Sequence, residues 1–218
     1  VIIDNLCVQY GNDFQLGPIT YSLNKGAILG ILGNNGSGKS TLMHCIVNFI
    51  SDYEGEVVVN ANKIGFCFQT PSFYPNKTVF ENLRVLSLNK QVKTTEIKDA
   101  LDFFNLSTYK NKPFKVLSGG NKKRVEIILA ILGSPELILF DEPTANLDEP
   151  GVELFNQSIN LLKDKSTIII NNHNSSELRS YCTDFMVLQN GSMVEAVNKE
   201  NFNHVTYIDA DDLVHAYS

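Results

Sequence analysis

Apolar and polar residues alternate along "VIIDNLCVQYG" and "FQLGPITYSLNKG" at the start of the chain. This period of two predicts the strands of an antiparallel sheet edge, turning at Gly11-Asn12-Asp13. The pattern then changes. "AILGILG" is a short unbroken apolar run bounded by glycine, and "KSTLMHCIVNFI" follows with helical spacing, so Gly33 to Thr41 falls on a strand-to-helix turn. "GEVVVN" and "KIGFCFQ" predict further strands. From Val79 to Phe104 the spacing is helical in two pieces, "VFENLRVLSL" and "TEIKDALDFF", joined by polar "NKQVKTT", which reads as a small helical insert over roughly 71–118. "NKKRVEIILAILG" predicts a helix reaching Gly133, since Pro135 blocks its continuation. "ELILFDEP" predicts a buried strand ending in two acids, and "STIIINNH" a strand closing in a histidine. Helical "SSELRSYC" and the paired strands of "DFMVLQNGSMVEA", hinged at Asn190-Gly191, complete the regular part. From about Asn198 a short tail follows without periodicity.

Strands alternating with helices imply an α/β fold whose mostly parallel sheet presents ligands at the carboxyl ends of its strands. With 218 residues, 43% of them apolar, the chain is long enough for one globular unit, residues 1–218, with attached subdomains. The net charge of −6, with only short basic patches such as Lys122, Lys123 and Arg124, argues against a nucleic-acid surface. The four cysteines, Cys7, Cys45, Cys67 and Cys182, lack metal-ligand spacing and fit reduced thiols in a cytosol. No apolar run approaches the roughly 20 residues of a membrane helix and no leader pattern is read at the amino end, so cytoplasm is the expected compartment.

"GNNGSGKS" satisfies G-x-x-x-x-G-K-[ST] in full and lies between a strand and a helix, the context its mechanism requires. Its glycines let backbone N–H groups point at phosphates, Lys39 reaches the β and γ phosphates, and Ser40 offers a hydroxyl to Mg²⁺. Asp141 and Glu142 end an apolar strand, where adjacent acids need a cation or a proton. Asp141 suits Mg²⁺, and Glu142 suits the polarising of water that attacks a γ phosphate. "LSGGNKKRVEI" puts Ser118 and two glycines at a helix start, a second place where an anion is favoured. Gln69 and His173 close strands at the ligand end of the sheet, although a lone histidine there is usually structural. His44, His204 and His215 have no such placement. Tyr10 is a candidate for stacking on an adenine ring, or is simply half-buried.

The order "GNNGSGKST", Gln69, "LSGG", "LILFDEP", "ANLD", His173 resembles the ATP-binding cassette (ABC) ATPases, specifically the stand-alone nucleotide-binding subunit of a transporter. The resemblance covers nearly the whole chain, and LSGG between a P-loop and an acidic strand is its specific element. It implies a P-loop NTPase (RecA-like) core with an N-terminal antiparallel β subdomain and a small helical subdomain. It implies that Tyr10 stacks on adenine and that Gly33, Asn34, Asn35, Gly36, Ser37, Gly38, Lys39, Ser40 and Thr41 hold the phosphates of ATP. Ser40, Gln69 and Asp141 would surround Mg²⁺, Glu142 would be the catalytic carboxylate and His173 the γ-phosphate switch. Ser118, Gly119 and Gly120 would act in trans on the ATP of a second ATPase subunit, an identical chain or close paralogue. Ala145, Asn146, Leu147 and Asp148 would form the contact loop between the two. The partners implied are that subunit and separate transmembrane permease chains at the cytoplasmic face of the membrane, with no nucleic acid.

Two departures qualify the resemblance. Asn121 stands where the family usually has glutamine, and can still hydrogen-bond from a shorter side chain. The stretch from Glu81 to Val116 is shorter than in many transporter subunits and no Glu-Arg-Gly precedes LSGG, which favours an ATPase serving a separate, exporter-type permease. A soluble, non-transport ABC ATPase of DNA repair or translation is the alternative. Chromosome-organising relatives, however, separate P-loop from LSGG by long coiled coils that the interval from Lys39 to Ser118 cannot hold. A GTPase or small kinase lacks support, since no Asn-Lys-x-Asp occurs and LSGG would be unexplained.

Overall fold

The computed structural model describes residues 1–10, 14–68, 73–172 and 175–200. In chain order the elements are β1 (Ile2–Tyr10), β2 (Phe14–Ser22), β3 (Ile28–Leu32), α1 (Lys39–Ile46), β4 (Glu54–Val58), β5 (Ile64–Cys67), α2 (Val79–Leu86) and α3 (Thr94–Phe103). They continue with α4 (Gly119–Ile131), β6 (Leu137–Asp141), α5 (Glu149–Leu162), β7 (Thr167–Asn171), α6 (Ser175–Tyr181), β8 (Asp184–Gln189) and β9 (Ser192–Asn198). The strands form a three-stranded sheet, β2-β1-β4, and a six-stranded sheet, β5-β6-β7-β3-β8-β9. The fold is therefore α/β with a mostly parallel main sheet and an N-terminal antiparallel sheet.

The contacts divide the chain into two compact units, Val1–Asn60 together with the chain from Thr167 onward, and Ala61–Ser166. In the first, the period of two produces the antiparallel pair β1–β2, with Ile2 opposite Ser22 and Tyr10 opposite Phe14. Ile3, Leu6, Val8, Leu16 and Ile19 are buried there, and the steps of three from Ile3 to Leu6 and from Leu16 to Ile19 fall where the register of the pair shifts. β3 is buried at all five positions and pairs in parallel with β7 and β8, so an unbroken apolar strand is sheltered on both faces. The β8–β9 hairpin turns at Asn190 (φ 48°) and Gly191 (φ 81°), both in the left-handed region that a two-residue turn demands.

In the second unit β5 and β6 pair in parallel and α4 packs on β5. Thr78 caps α2, accepting from the Glu81 amide while the Glu81 carboxylate accepts from the Thr78 amide, a reciprocal box that starts the helix where the sequence pattern does. Residues 149–162, to which the sequence pattern above assigns no element, form α5. Asp148 is its N-cap, Pro150 lies in its first turn, and Phe155 and Ile159 are buried one turn apart. Phe155 meets Phe140 of β6 edge to face, with centroids 5.2 Å apart. Among the described residues no helix is long and apolar enough to cross a membrane.

Candidate functional site

The first unit builds a phosphate cradle on the turn from β3 to α1. Gly38 stands before the helix with φ 104°, offers no side-chain cap, and no acid occupies the first turn, so the amino end of α1 keeps its affinity for an anion. Asn34, Asn35 and Gly36 are exposed while Ser37, Gly38 and Lys39 are buried, and Ser40 and Thr41 are half-buried. Lys39 curls back over the loop, its Nζ donating to the carbonyls of Gly33 at 2.7 Å and Asn34 at 2.9 Å, which holds the ammonium at the cradle. Ser37 Oγ is buried without a hydrogen-bond partner among the described residues, a donor that a phosphate oxygen would satisfy. The residues present therefore fit a nucleotide's phosphates.

The cradle has a support that the sequence reading treats only as a hinge. The Gly191 amide donates to the Ser37 carbonyl at 3.1 Å, and the Gly17 amide donates to the Gly191 carbonyl at 2.7 Å. A Cβ on Gly33 would lie 2.2 Å from the Leu188 carbonyl oxygen, so the loop rests on the end of β8 with no room for a side chain. A glycine after asparagine is a generic turn signal, and nothing in the local pattern ties it to residues 33–41.

The second unit carries the acids and the signature helix. β6 is buried throughout and delivers Asp141, 2% exposed, at its carboxyl end. Glu142 follows with φ 48°, a left-handed conformation that costs a non-glycine residue of order 1 kcal/mol or more. That strain falls at the residue that directly follows the end of β6. The Asp141 carboxylate is a hard oxygen donor of the kind Mg²⁺ accepts alongside water and phosphate. Ser118 is the N-cap of α4, and its Oγ accepts from the Asn121 amide at 3.3 Å. The helix start is thus partly satisfied by the serine itself, rather than left wholly free as its sequence suggests. Gly119 would meet nothing with a Cβ added, whereas a Cβ on Gly120 would lie 3.0 Å from the Asn146 carbonyl oxygen.

The loop 145–148 is tied to this same helix. Arg124, 8% exposed, pairs with the Asp148 carboxylate, which also accepts from the Gly151 amide. The Arg124 hydrogen bond holds the Asp148 carboxyl below its ordinary value. Lys123 is likewise buried and pairs with Glu126 at 3.3 Å. The run Lys122-Lys123-Arg124 is therefore not simply a surface patch, because two of its three cations point into the protein and are neutralised there. Gly119, Lys122, Lys123, Glu126, Glu142, Ala145 and Asn146 line one cleft of about 400 Å³. Leu147 is half-buried. Gln69 and His173 lie outside the described residues, as does the side chain of Tyr10, whose backbone ends β1.

Comparison with known proteins bears on the whole chain. A family model described as ABC transporter matches residues 16–145. The chain is 33% identical to the bacitracin transport ATP-binding protein BcrA of Enterococcus faecalis, over 89% of its own length and 68% of that protein's. It is 30% identical to the lantibiotic transport ATP-binding protein SrtF of Streptococcus pyogenes, over 84% of each. Among solved structures it resembles an ATP-binding subunit of an ABC transporter with a TM-score of 0.86 at 23% identity, covering 98% of this chain and 97% of that one. A nucleotide-free ATP-binding cassette from an ABC transporter superposes with a TM-score of 0.77 at 26% identity, covering 94% and 93%.

Proposed function

Because the chain belongs to the ABC transporter family, as an ATP-binding subunit and hence an ATPase, we propose that it powers a separate transmembrane permease as one half of an ATP-bound head-to-tail dimer. The observation that carries this reading is the cradle at residues 33–41, with an uncapped helix start, a buried partnerless Ser37 hydroxyl and Lys39 folded over the loop. The names of the bacitracin and lantibiotic relatives support transport, and favour export of a substrate chosen by the permease. The chain would then sit at the cytoplasmic face of the membrane, held there by the permease.

In this mechanism the loop amides and Lys39 bind and orient the phosphates. Ser40, Asp141 and Gln69 would hold Mg²⁺, which neutralises phosphate charge during transfer. Glu142, pushed out of the strand by its left-handed backbone, accepts a proton from the attacking water, while His173 contacts the γ phosphate. Tyr10 stacks on the adenine. Ser118, Gly119 and Gly120 face the nucleotide of the partner, with Ala145, Asn146, Leu147 and Asp148 between the subunits. Residues 71–118 form the helical subdomain that receives the permease, within a single ATPase domain spanning 1–218.

The test is Glu142→Gln. The variant should bind ATP as the wild type does, lose about 10²-fold or more of its hydrolysis rate, and accumulate as an ATP-dependent dimer in size-exclusion chromatography. Hydrolysis near the normal rate would remove Glu142 from the reaction.

A further inference from the structure

Within the second unit two segments run side by side in opposite directions. The Phe114 amide donates to the Lys77 carbonyl at 2.9 Å and the Lys115 amide to the Pro75 carbonyl at 3.0 Å, while the amides of Val79 and Phe80 donate to the carbonyls of Lys112 and Lys110, each at 3.0 Å. Thr78 pairs with Pro113 in the middle of this ribbon. Asn82, fully buried, fastens one of its segments: its Oδ1 accepts from the Tyr74 amide at 2.8 Å, and its Nδ2 donates to the carbonyls of Tyr74, Lys77 and Thr78. These ties fix the ribbon's backbone before anything binds it, so little ordering remains to oppose association.

The charge of the ribbon is one-sided. "YPNKTVF", residues 74–80, and "KNKPFKV", residues 110–116, hold four lysines and no acid, in a chain whose net charge is −6. Lys77, Lys112 and Lys115 are exposed, and Lys110 lies over the Phe80 ring, 4.9 Å from the centroid. Among the described residues none of the four takes part in an ion pair. The acid that follows, Glu81, accepts with its carboxylate from the Thr78 amide and hydroxyl. Beside the lysines two large apolar side chains meet water. Tyr74 is 48% exposed and Val116 60%, and the Lys115–Pro75 hydrogen bond brings their backbones to the same end of the ribbon.

A surface that serves only solubility mixes its charges. Lysines on a fixed backbone beside exposed apolar side chains instead suit a partner that offers carboxylates and apolar groups together. Lipid alone answers this poorly, because four lysines at roughly 1 kcal/mol each give only weak attachment to an anionic bilayer. We propose that the ribbon is the docking surface for an acidic, amphipathic segment of the permease, whose carboxylates meet Lys77, Lys112 and Lys115 and whose apolar side chains cover Tyr74 and Val116. This rests on the reading that residues 71–118 receive the permease.

The experiment titrates the full chain onto native membrane vesicles stripped of peripheral proteins. Raising NaCl from about 0.05 to 0.5 M should weaken wild-type binding about tenfold or more, and an affinity indifferent to salt overturns the proposal. Lys77→Glu/Lys112→Glu/Lys115→Glu should bind about tenfold more weakly or worse, whereas the same three lysines changed to arginine should stay within about twofold of wild type. A glutamate variant that binds as wild type is the overturning result. If that variant does not fold, by its melting temperature, the salt titration of the wild type decides. Vesicles of about 30% phosphatidylglycerol in phosphatidylcholine should bind far less than native membranes, and equal binding would assign the ribbon to lipid and overturn the proposal. A photo-cross-linking amino acid in place of Asn76 or Asn111 then identifies the segment that lies on the ribbon. Asp and Glu should outnumber Lys and Arg in the captured permease peptide, and a neutral or basic one overturns the proposal. Failure of the parent reading looks different: neither position captures a multi-spanning membrane protein, and the proposal falls with it.

Discussion

Lys90 shows how one residue can serve a helix end at an electrostatic cost. Its Nζ donates to the Leu129 carbonyl at 2.7 Å, on the last turn of α4, where a cation complements the helix dipole. Burial nevertheless lowers its pKa from 10.5 to about 8, so desolvation outweighs the hydrogen bond. The sign follows from proton binding. Between pH 8 and 10.5 the unfolded chain holds this proton while the folded chain releases it, so stability rises with pH across that window. Below pH 8 the penalty is present in full. Lys90→Met removes the titration, so the stability of wild type relative to this variant should increase on going from pH 8 to 10.5, by on the order of 3 kcal/mol at most. Denaturant melts of both proteins at several pH values measure it, and a difference that does not change with pH would refute the assignment. The strained Glu142 belongs to the same scale: its φ of 48° sits at the residue proposed as the base rather than at a turn glycine.

Among the elements, the β8–β9 hairpin and the cradle form one device. The hairpin's Gly191 bonds the Ser37 carbonyl on one side and the Gly17 amide on the other, and a Cβ there would lie 1.8 Å from the Gln15 carbonyl oxygen. Backbone in van der Waals contact cannot yield by that much without moving β2 or the turn. Gly191→Ala should therefore weaken ATP binding about tenfold or more, although residue 191 touches no phosphate, because the loop loses its support. Fluorescent-nucleotide titration is the measurement, and an affinity equal to wild type would show that the hairpin does not hold the cradle. α4 is organised in the same way at its own start. Ser118 caps it, Arg124 binds Asp148, and Gly120 leaves room for the Asn146 carbonyl, so the helix start and the loop 145–148 are joined within one chain.

At the scale of the whole molecule, each chain has one P-loop and one LSGG, and the dimer reading assigns the second to the partner's nucleotide. Ser118→Arg should abolish hydrolysis at saturating ATP while leaving nucleotide affinity nearly intact, whereas Lys39→Ala loses its own phosphate contact. Mixing the two inactive proteins should restore part of the activity through heterodimers with one intact composite site. Because Ser118 also caps α4, Ser118→Ala is the control, expected to cost about 1 kcal/mol of stability without the arginine's intrusion. Normal hydrolysis by Ser118→Arg would make each chain self-sufficient and end the head-to-tail reading.

Much of this molecule is determined by local sequence. The strand-to-helix turn at Gly33–Thr41, the buried strand ending at Asp141 and the helix opening at Ser118 are legible because spacing, glycine and capping residues act over a few neighbours. α5 carries the same kind of local signal, Asp148 as cap, Pro150 in the first turn, and Phe155 and Ile159 one turn apart. What only the tertiary structure decided is the fate of charges and the support of loops. "KKR" reads as a basic patch whether it faces water or protein, and only the packing of α4 shows Lys123 and Arg124 buried against Glu126 and Asp148. Likewise Asn190-Gly191 announces a turn, but its grip on Ser37 joins residues far apart in the chain. Hydrogen bonds and desolvation depend on which atoms meet in space, and a one-dimensional pattern carries the spacing of side chains along an element, not the identity of what lies across from them.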